Sequence, residues 1–295
     1  MTPLADTDAW QRLYAQARSW AKMLRLPFRQ QRWRGHAGEF TGTGVGSSLD
    51  FQDHRVYLPG DDPRQINWQA YARTGTYTMK LYREEVRPLV DLVLDVSGSM
   101  FAFPAKQQRS LELFAYAVEA GLQSGASLRC YAVRGGQHCL LDTELVVSGR
   151  WMQKAEGLPA SAEVPGLARL PFRAAAMRVF ISDLLFPGEP DRLLGPLSQG
   201  NGRGVLLAPY AVEESAPDWE GNHEFEDPET GGLQEHRIEP EILKNYRHAY
   251  SRHFQLWKTA AARHGVSMAR ISAETEFVSA LRAEGLVAGA VEVSV

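Results

Sequence analysis

Hydrophobic positions change their spacing several times along this chain, and each change marks an element. Between residues 8 and 26, Trp10, Leu13, Tyr14, Ala17, Trp20, Ala21 and Leu24 recur three and four apart, the period of an amphipathic helix. Arg12, Arg18, Lys22 and Arg25 surround that stripe with positive charge. Such a helix either packs on its own protein or lies on a membrane surface. Residues 35–48 lose the period, are rich in Gly, Thr and Ser, and read as a loop. Residues 49–87 read as short strands and turns: Pro59-Gly60-Asp61-Asp62-Pro63 is a strong turn signal, and Thr76 to Tyr82 alternates as a strand does.

From about residue 88 the spacing changes again. Leu89–Val96 is an apolar run, broken by Asp91, of the kind found in buried parallel strands. Residues 106–121 suit a helix with Leu111, Phe114, Ala115 and Val118 on one face. Further strands are expected at Ser127–Val133, His138–Val147 (one or two), Arg178–Leu185, Gly204–Pro209 and Val266–Ile271. Further helices are expected at Pro190–Leu197, 239–263 and Glu274–Ala283. This alternation predicts an α/β fold, a mostly parallel sheet with helices on both faces. Ligands in such sheets bind beyond the carboxyl ends of the strands. The expected organisation is an N-terminal helix and β-rich, short-strand extension over 1–87, followed by the sheet domain over 88–295.

Composition narrows the function classes. The chain has 295 residues, 44% of them hydrophobic and 23% charged, enough for a sizeable core. A net charge of -3 gives no reason to expect nucleic acid. No apolar run approaches a membrane span, and the N-terminus lacks a secretory apolar core, so a cytoplasmic protein without an integral membrane segment is expected. Two cysteines, Cys130 and Cys139, exclude a disulfide framework. Gly42-Thr43-Gly44-Val45-Gly46 is not followed by Gly-Lys-Ser/Thr, so no P-loop is present and ATP hydrolysis is not expected. His248 and His253 stand five apart, the wrong spacing for one helix face. No Gly-x-Ser-x-Gly elbow occurs, and no catalytic or organic-cofactor residue is assigned.

One constellation carries chemistry. Asp95, Ser97 and Ser99 sit where an apolar strand ends, before a helix, and Asp183 ends a second strand, Val179-Phe180-Ile181-Ser182-Asp183. Parallel strands would bring both acids to one edge. Two hydroxyls and two carboxylates make an all-oxygen set suited to Mg²⁺ or another hard divalent cation. The competing reading is that Asp95 and Ser99 cap the following helix and its loop. Asp61 and Asp62, near Arg55, Arg64 and Arg73, read as an arginine–carboxylate clasp fixing this segment to the sheet domain. A docking surface or a hydrolytic carboxylate pair are the alternatives there.

The Asp95-Val96-Ser97-Gly98-Ser99 motif resembles the metal-ion-dependent adhesion site of von Willebrand factor A domains. That resemblance implies a von Willebrand A-like fold, with Ser97 and Ser99 as direct ligands and Asp95 and Asp183 bound directly or through water. A partner's carboxylate would complete the coordination. The family's middle-loop Thr has no match between Thr143 and Thr230; Ser161 is the nearest hydroxyl, so weak ion binding is expected. A wider series is similar to a bacterial family of domains of unknown function, number fifty-eight. It runs through Arg55-Val56-Tyr57, Gly60-Asp61-Asp62-Pro63-Arg64-Gln65-Ile66-Asn67-Trp68, Ala72-Arg73-Thr74, Glu84-Glu85, the adhesion-type motif and Asp227-Pro228-Glu229-Thr230-Gly231. That resemblance implies a non-enzymatic protein-binding module working with a MoxR-type AAA+ ATPase in assembly or chaperoning. The alternatives are a metal-dependent phosphohydrolase using Asp95, where Ser97 stands in place of a second acid, and a membrane-surface scaffold acting through residues 8–34.

Overall fold

The computed structural model describes residues 7–28, 40–45 and 51–294. The chain forms two units, one of residues 1–28 with 89–295 and one of residues 29–88. The helical stripe near the N-terminus forms α1 (Thr7–Met23), followed by the short strand β1 (Leu24–Arg25). The sequence grouped this helix with the short strands after it, but α1 packs against a helix of the sheet unit. Its apolar face is filled: Trp10, Leu13, Tyr14, Ala17 and Ala21 are buried, and the Trp10 indole donates to the Val146 carbonyl at 2.7 Å.

The smaller unit holds β2 (Phe40–Val45), β3 (Phe51–Val56) and β4 (Thr78–Val86), an antiparallel sheet in the order β2-β4-β3. Residues 40–45 were expected in a loop and are a strand; 35–39 and 46–48 lie outside the described residues. Between β3 and β4 a 3-10 turn (Pro63–Gln65) is capped by the Asp62 side chain. The helix α2 (Trp68–Thr74) is capped by Asn67 and stopped by Gly75 in the left-handed conformation, φ 67°.

The larger unit begins with β5 (Leu89–Asp95), buried from Val90 to Asp95. It continues through α3 (Pro104–Gln123), β6 (Ser127–Arg134), β7 (Gln137–Leu141), α4 (Thr143–Ser148), α5 (Trp151–Glu156), β8 (Met177–Ile181), α6 (Pro190–Ser198) and β9 (Arg203–Tyr210). Next come α7 (Val212–Ser215), β10 (Gly221–Glu226), β11 (Leu233–Ile238), α8 (Pro240–Arg263), β12 (Ser267–Ser272), α9 (Phe277–Ala280) and β13 (Glu292–Val293). Six strands form one sheet in the order β12-β9-β8-β5-β6-β7, parallel except for β7 against β6. This is a mixed α/β architecture, as expected. The helices α6 and α8 contribute Leu193, Leu197, Phe254 and Trp257 to a core over Val93, Phe180 and Leu206. Strand side chains alternate, so Leu92 and Leu94 face the other way, toward α3.

The stretch His138–Val147, expected as one or two strands, is strand to Leu141 and turns helical at Thr143. The hairpin of β10 and β11 was not expected; among the described residues its two strands pair only with each other. Asp91, in the middle of the β5 run, is fully buried and answered by Arg173, whose Nε donates at 2.7 Å and whose backbone N–H donates at 2.8 Å. Among the described residues, no helix is long and apolar enough to cross a membrane.

Candidate functional site at the strand ends

The carboxyl end of β5 makes the site. Asp95 is the last strand residue, and the chain then turns through Val96–Gly98 into a 3-10 turn (Ser99–Phe101) before α3. Asp95 is fully buried and holds this loop: its Oδ1 accepts from the Ser97 N–H at 3.0 Å. Its Oδ2 accepts from the Ser182 hydroxyl at 2.8 Å, which ties β5 to the end of β8. Burial, then the nearby charge of Asp183, push the Asp95 carboxyl up to about 7. The hydroxyls of Ser97 and Ser99 lie 3.3 Å apart.

Asp183 reaches the same edge but is held by a residue the sequence reading did not single out. Lys106, in the first turns of α3, donates to Asp183 Oδ2 at 2.9 Å and also pairs with Glu214 of α7. All three side chains are buried. Burial opposes the charge on Lys106, but Asp183 and Glu214 outweigh it and hold the ammonium above its ordinary pKa. Burial raises the Glu214 carboxyl, with Lys106 opposing. Asp183 Oδ1 accepts from the Leu185 N–H at 3.0 Å. Between them Leu184 takes a left-handed conformation, φ 62°, which a non-glycine residue seldom adopts and which marks a tightly determined turn.

The oxygens of Ser97, Ser99, Asp95 and Asp183 are the right kind for a hard divalent ion, but the two carboxylates are engaged by the protein's own donors. Each carboxylate oxygen of Asp95 and Asp183 already accepts from a protein donor, and an ammonium stands on Asp183 where the ion's charge would be needed. Among the described residues, no cluster of three or more His, Cys, Asp or Glu is placed to hold a metal. Ser161 lies at the same edge, against Gly135, with its hydroxyl accepting from the Glu163 N–H at 3.1 Å.

A third carboxylate comes from far along the chain. Glu229, in the turn joining β10 to β11, accepts from the Gly98 N–H and the Ser99 N–H, both at 2.9 Å. Gly98 has no side chain, and a Cβ there would collide with the Pro228 carbonyl. Arg134, at the end of β6, is buried beside this contact; its Nε donates to the Val96 carbonyl at 2.7 Å. Burial lowers the Arg134 pKa, and the charges of Glu229 and Asp95 oppose that shift. The hairpin and the strand ends enclose a cleft of about 920 Å³ whose lining includes Phe101, Phe103, Arg134, Trp219 and Phe225. Lys106, Glu214 and Arg134 have no local sequence signal, and Ser182 lies in the strand run quoted for Asp183 without a role of its own. Glu229 lies within a motif the sequence reading quoted without giving it a role.

In the smaller unit, Asp61 and Asp62 take different arginines of their own segment. Asp61 pairs with Arg55 at 2.5 Å and accepts from the Leu58 N–H; Asp62 pairs with Arg64 at 2.8 Å and caps the 3-10 turn. These pairs staple the turn locally. The arginine hydrogen bonds hold both carboxyls below the usual range.

Residues 53–125 match the family model described as protein of unknown function DUF58. The segment matching DUF58 contains the Asp61–Arg64 turn, the Asp95–Ser99 loop and Lys106, while Asp183, Glu214 and Glu229 lie downstream. An uncharacterized protein of Mycobacterium bovis is 28% identical over 238 residues, covering 73% of this chain and 72% of its own length. Uncharacterized proteins of two Mycobacterium tuberculosis strains match with the same 28% identity and coverage. No solved structure gives a significant match.

Proposed function

We propose that this chain is a non-enzymatic protein-binding module. It receives an acidic side chain of a partner at the Asp95–Ser99 loop and works with a MoxR-type AAA+ ATPase. The observation that carries this reading is the seating of the Glu229 carboxylate on the Gly98 and Ser99 N–H groups beside Arg134. A loop that holds one carboxylate by two directed donors has the chemistry to hold another. The resemblance of the Asp95–Ser99 motif to that of von Willebrand A domains supports placing the binding rim there. Asp95 is suited to shaping the loop: both its oxygens are engaged and it is buried, a poor position for a phosphohydrolase nucleophile. The α1 stripe that a membrane-surface scaffold would use is filled by packing.

The reading needs no ion, because the loop's own N–H groups and Arg134 supply the positive field. A divalent-ion form would require Lys106 to yield Asp183. The test is a pull-down with a MoxR-type AAA+ ATPase, using wild type, Ser99→Lys and the distant surface variant Glu241→Gln, each with and without EDTA. Capture that is lost with Ser99→Lys and kept with Glu241→Gln supports the reading. Capture by wild type and both variants alike overturns the placement of the rim. Loss in EDTA alone selects the divalent-ion form.

A further inference from the structure

Among the described residues the β10–β11 hairpin pairs with no other strand, and Phe225 of β10 packs on Trp219 with ring centroids 5.1 Å apart. At its base Trp219 packs on Tyr246, ring centroids 5.8 Å apart, and Ile238 is buried. Along β11 every residue before Ile238 is exposed. An isolated two-stranded ribbon is marginal in water, and this one carries Glu224 directly opposite Glu235, like charges that oppose pairing. Its tip is nonetheless ordered. Asp227 accepts from the Glu229 N–H at 2.9 Å and from the Thr230 hydroxyl at 2.7 Å, which presents the Glu229 side chain forward. The tip's contact with the body is Glu229 on the Gly98 and Ser99 N–H groups, with Pro228 closed against Gly98.

We propose that this hairpin is a latch: Glu229 occupies the seat that a partner's acidic side chain takes, and the partner engages by displacing it and opening the cleft beneath. The inference rests on the reading of the Asp95–Ser99 loop as a carboxylate seat and adds how that seat is regulated. A tethered carboxylate competes at high effective concentration. The apparent affinity of an outside carboxylate is therefore lowered by the fraction of molecules in which the seat is open. A hairpin with opposed like charges and little other anchorage at its tip can yield to a partner with additional contacts in the cleft.

The test uses the full chain and a fluorescent peptide carrying residues 224–234 of this sequence, read by anisotropy. Glu229→Gln removes the competing charge and keeps the side-chain volume; the peptide should bind it about tenfold or more tightly than it binds wild type. Asp227→Ala unsettles the tip without touching the loop and should shift affinity the same way. Glu241→Gln should leave it unchanged. Saturating peptide should also speed amide exchange of residues 222–237 in wild type, a readout independent of any variant. Equal binding to wild type, Glu229→Gln and Asp227→Ala, with hairpin exchange unaltered, would overturn the latch while leaving the seat standing. No binding to any of the three would remove both the seat and the latch.

Discussion

Lys106 donates to Asp183 across 2.9 Å with both side chains buried, so the strand-end site contains its own fixed cation. The ion pair is shared with Glu214, and removing the lysine would strand two buried carboxylates. Breaking a buried pair from one side costs about 3–5 kcal/mol. Lys106→Met is expected to lower unfolding free energy by that amount in urea titrations. Adding Glu214→Gln to it should cost less than the two single changes summed, because they act on one network.

The same cation sets the response to metal. Wild type should show little stabilisation by Mg²⁺, since an ion would have to displace Lys106 from Asp183. In Lys106→Met that competitor is gone, and thermal midpoints should rise more steeply with Mg²⁺ concentration than in wild type, as ligand linkage requires. Differential scanning calorimetry over a Mg²⁺ series checks this. Parallel curves for the two proteins would show that Lys106 does not guard the site.

Trp10 tests the role of the N-terminal helix. Its ring is buried, meets Trp151 edge-on at 5.2 Å, and donates to Val146 at 2.7 Å. Trp10→Ala should destabilise the larger unit by about 3–5 kcal/mol, the range for a buried aromatic. Wild type should leave anionic liposomes unbound in flotation, because the apolar face is occupied by the protein's own core.

The Asp61 pair is expected to act locally. Asp61→Ala releases both Arg55 and the Leu58 N–H, so the Leu58–Asp61 turn should become more sensitive to limited proteolysis. Unfolding of the larger unit should be unchanged.

The strands were legible in the sequence wherever burial on both faces produced a continuous apolar run. Leu89–Val96 announced β5, and the Asp183 run announced β8, so the meeting of two acids at one edge followed from parallel pairing. Asp91 looked like an interruption because its partner, Arg173, is distant in sequence. The hairpin escaped because β10 and β11 are largely exposed and lack an apolar period. Lys106 escaped for the related reason that a lysine on a helix reads as solvated. Only the fold brings it under Asp183 and Glu214. The loop at Asp95–Ser99 was recognisable from its residue types, but its occupant, Glu229, is 131 residues away from Gly98. No local pattern links them.

Partners are proposed to engage the Asp95–Ser99 rim. Amide exchange by mass spectrometry, on the full chain alone and mixed with a MoxR-type AAA+ ATPase, tests this most directly. The account predicts that residues 96–103 gain protection in the complex while the hairpin segment 222–237 loses it, as Glu229 gives up its seat. Protection confined to another surface, such as the Asp61–Arg64 turn, with both of those segments unchanged, would contradict it.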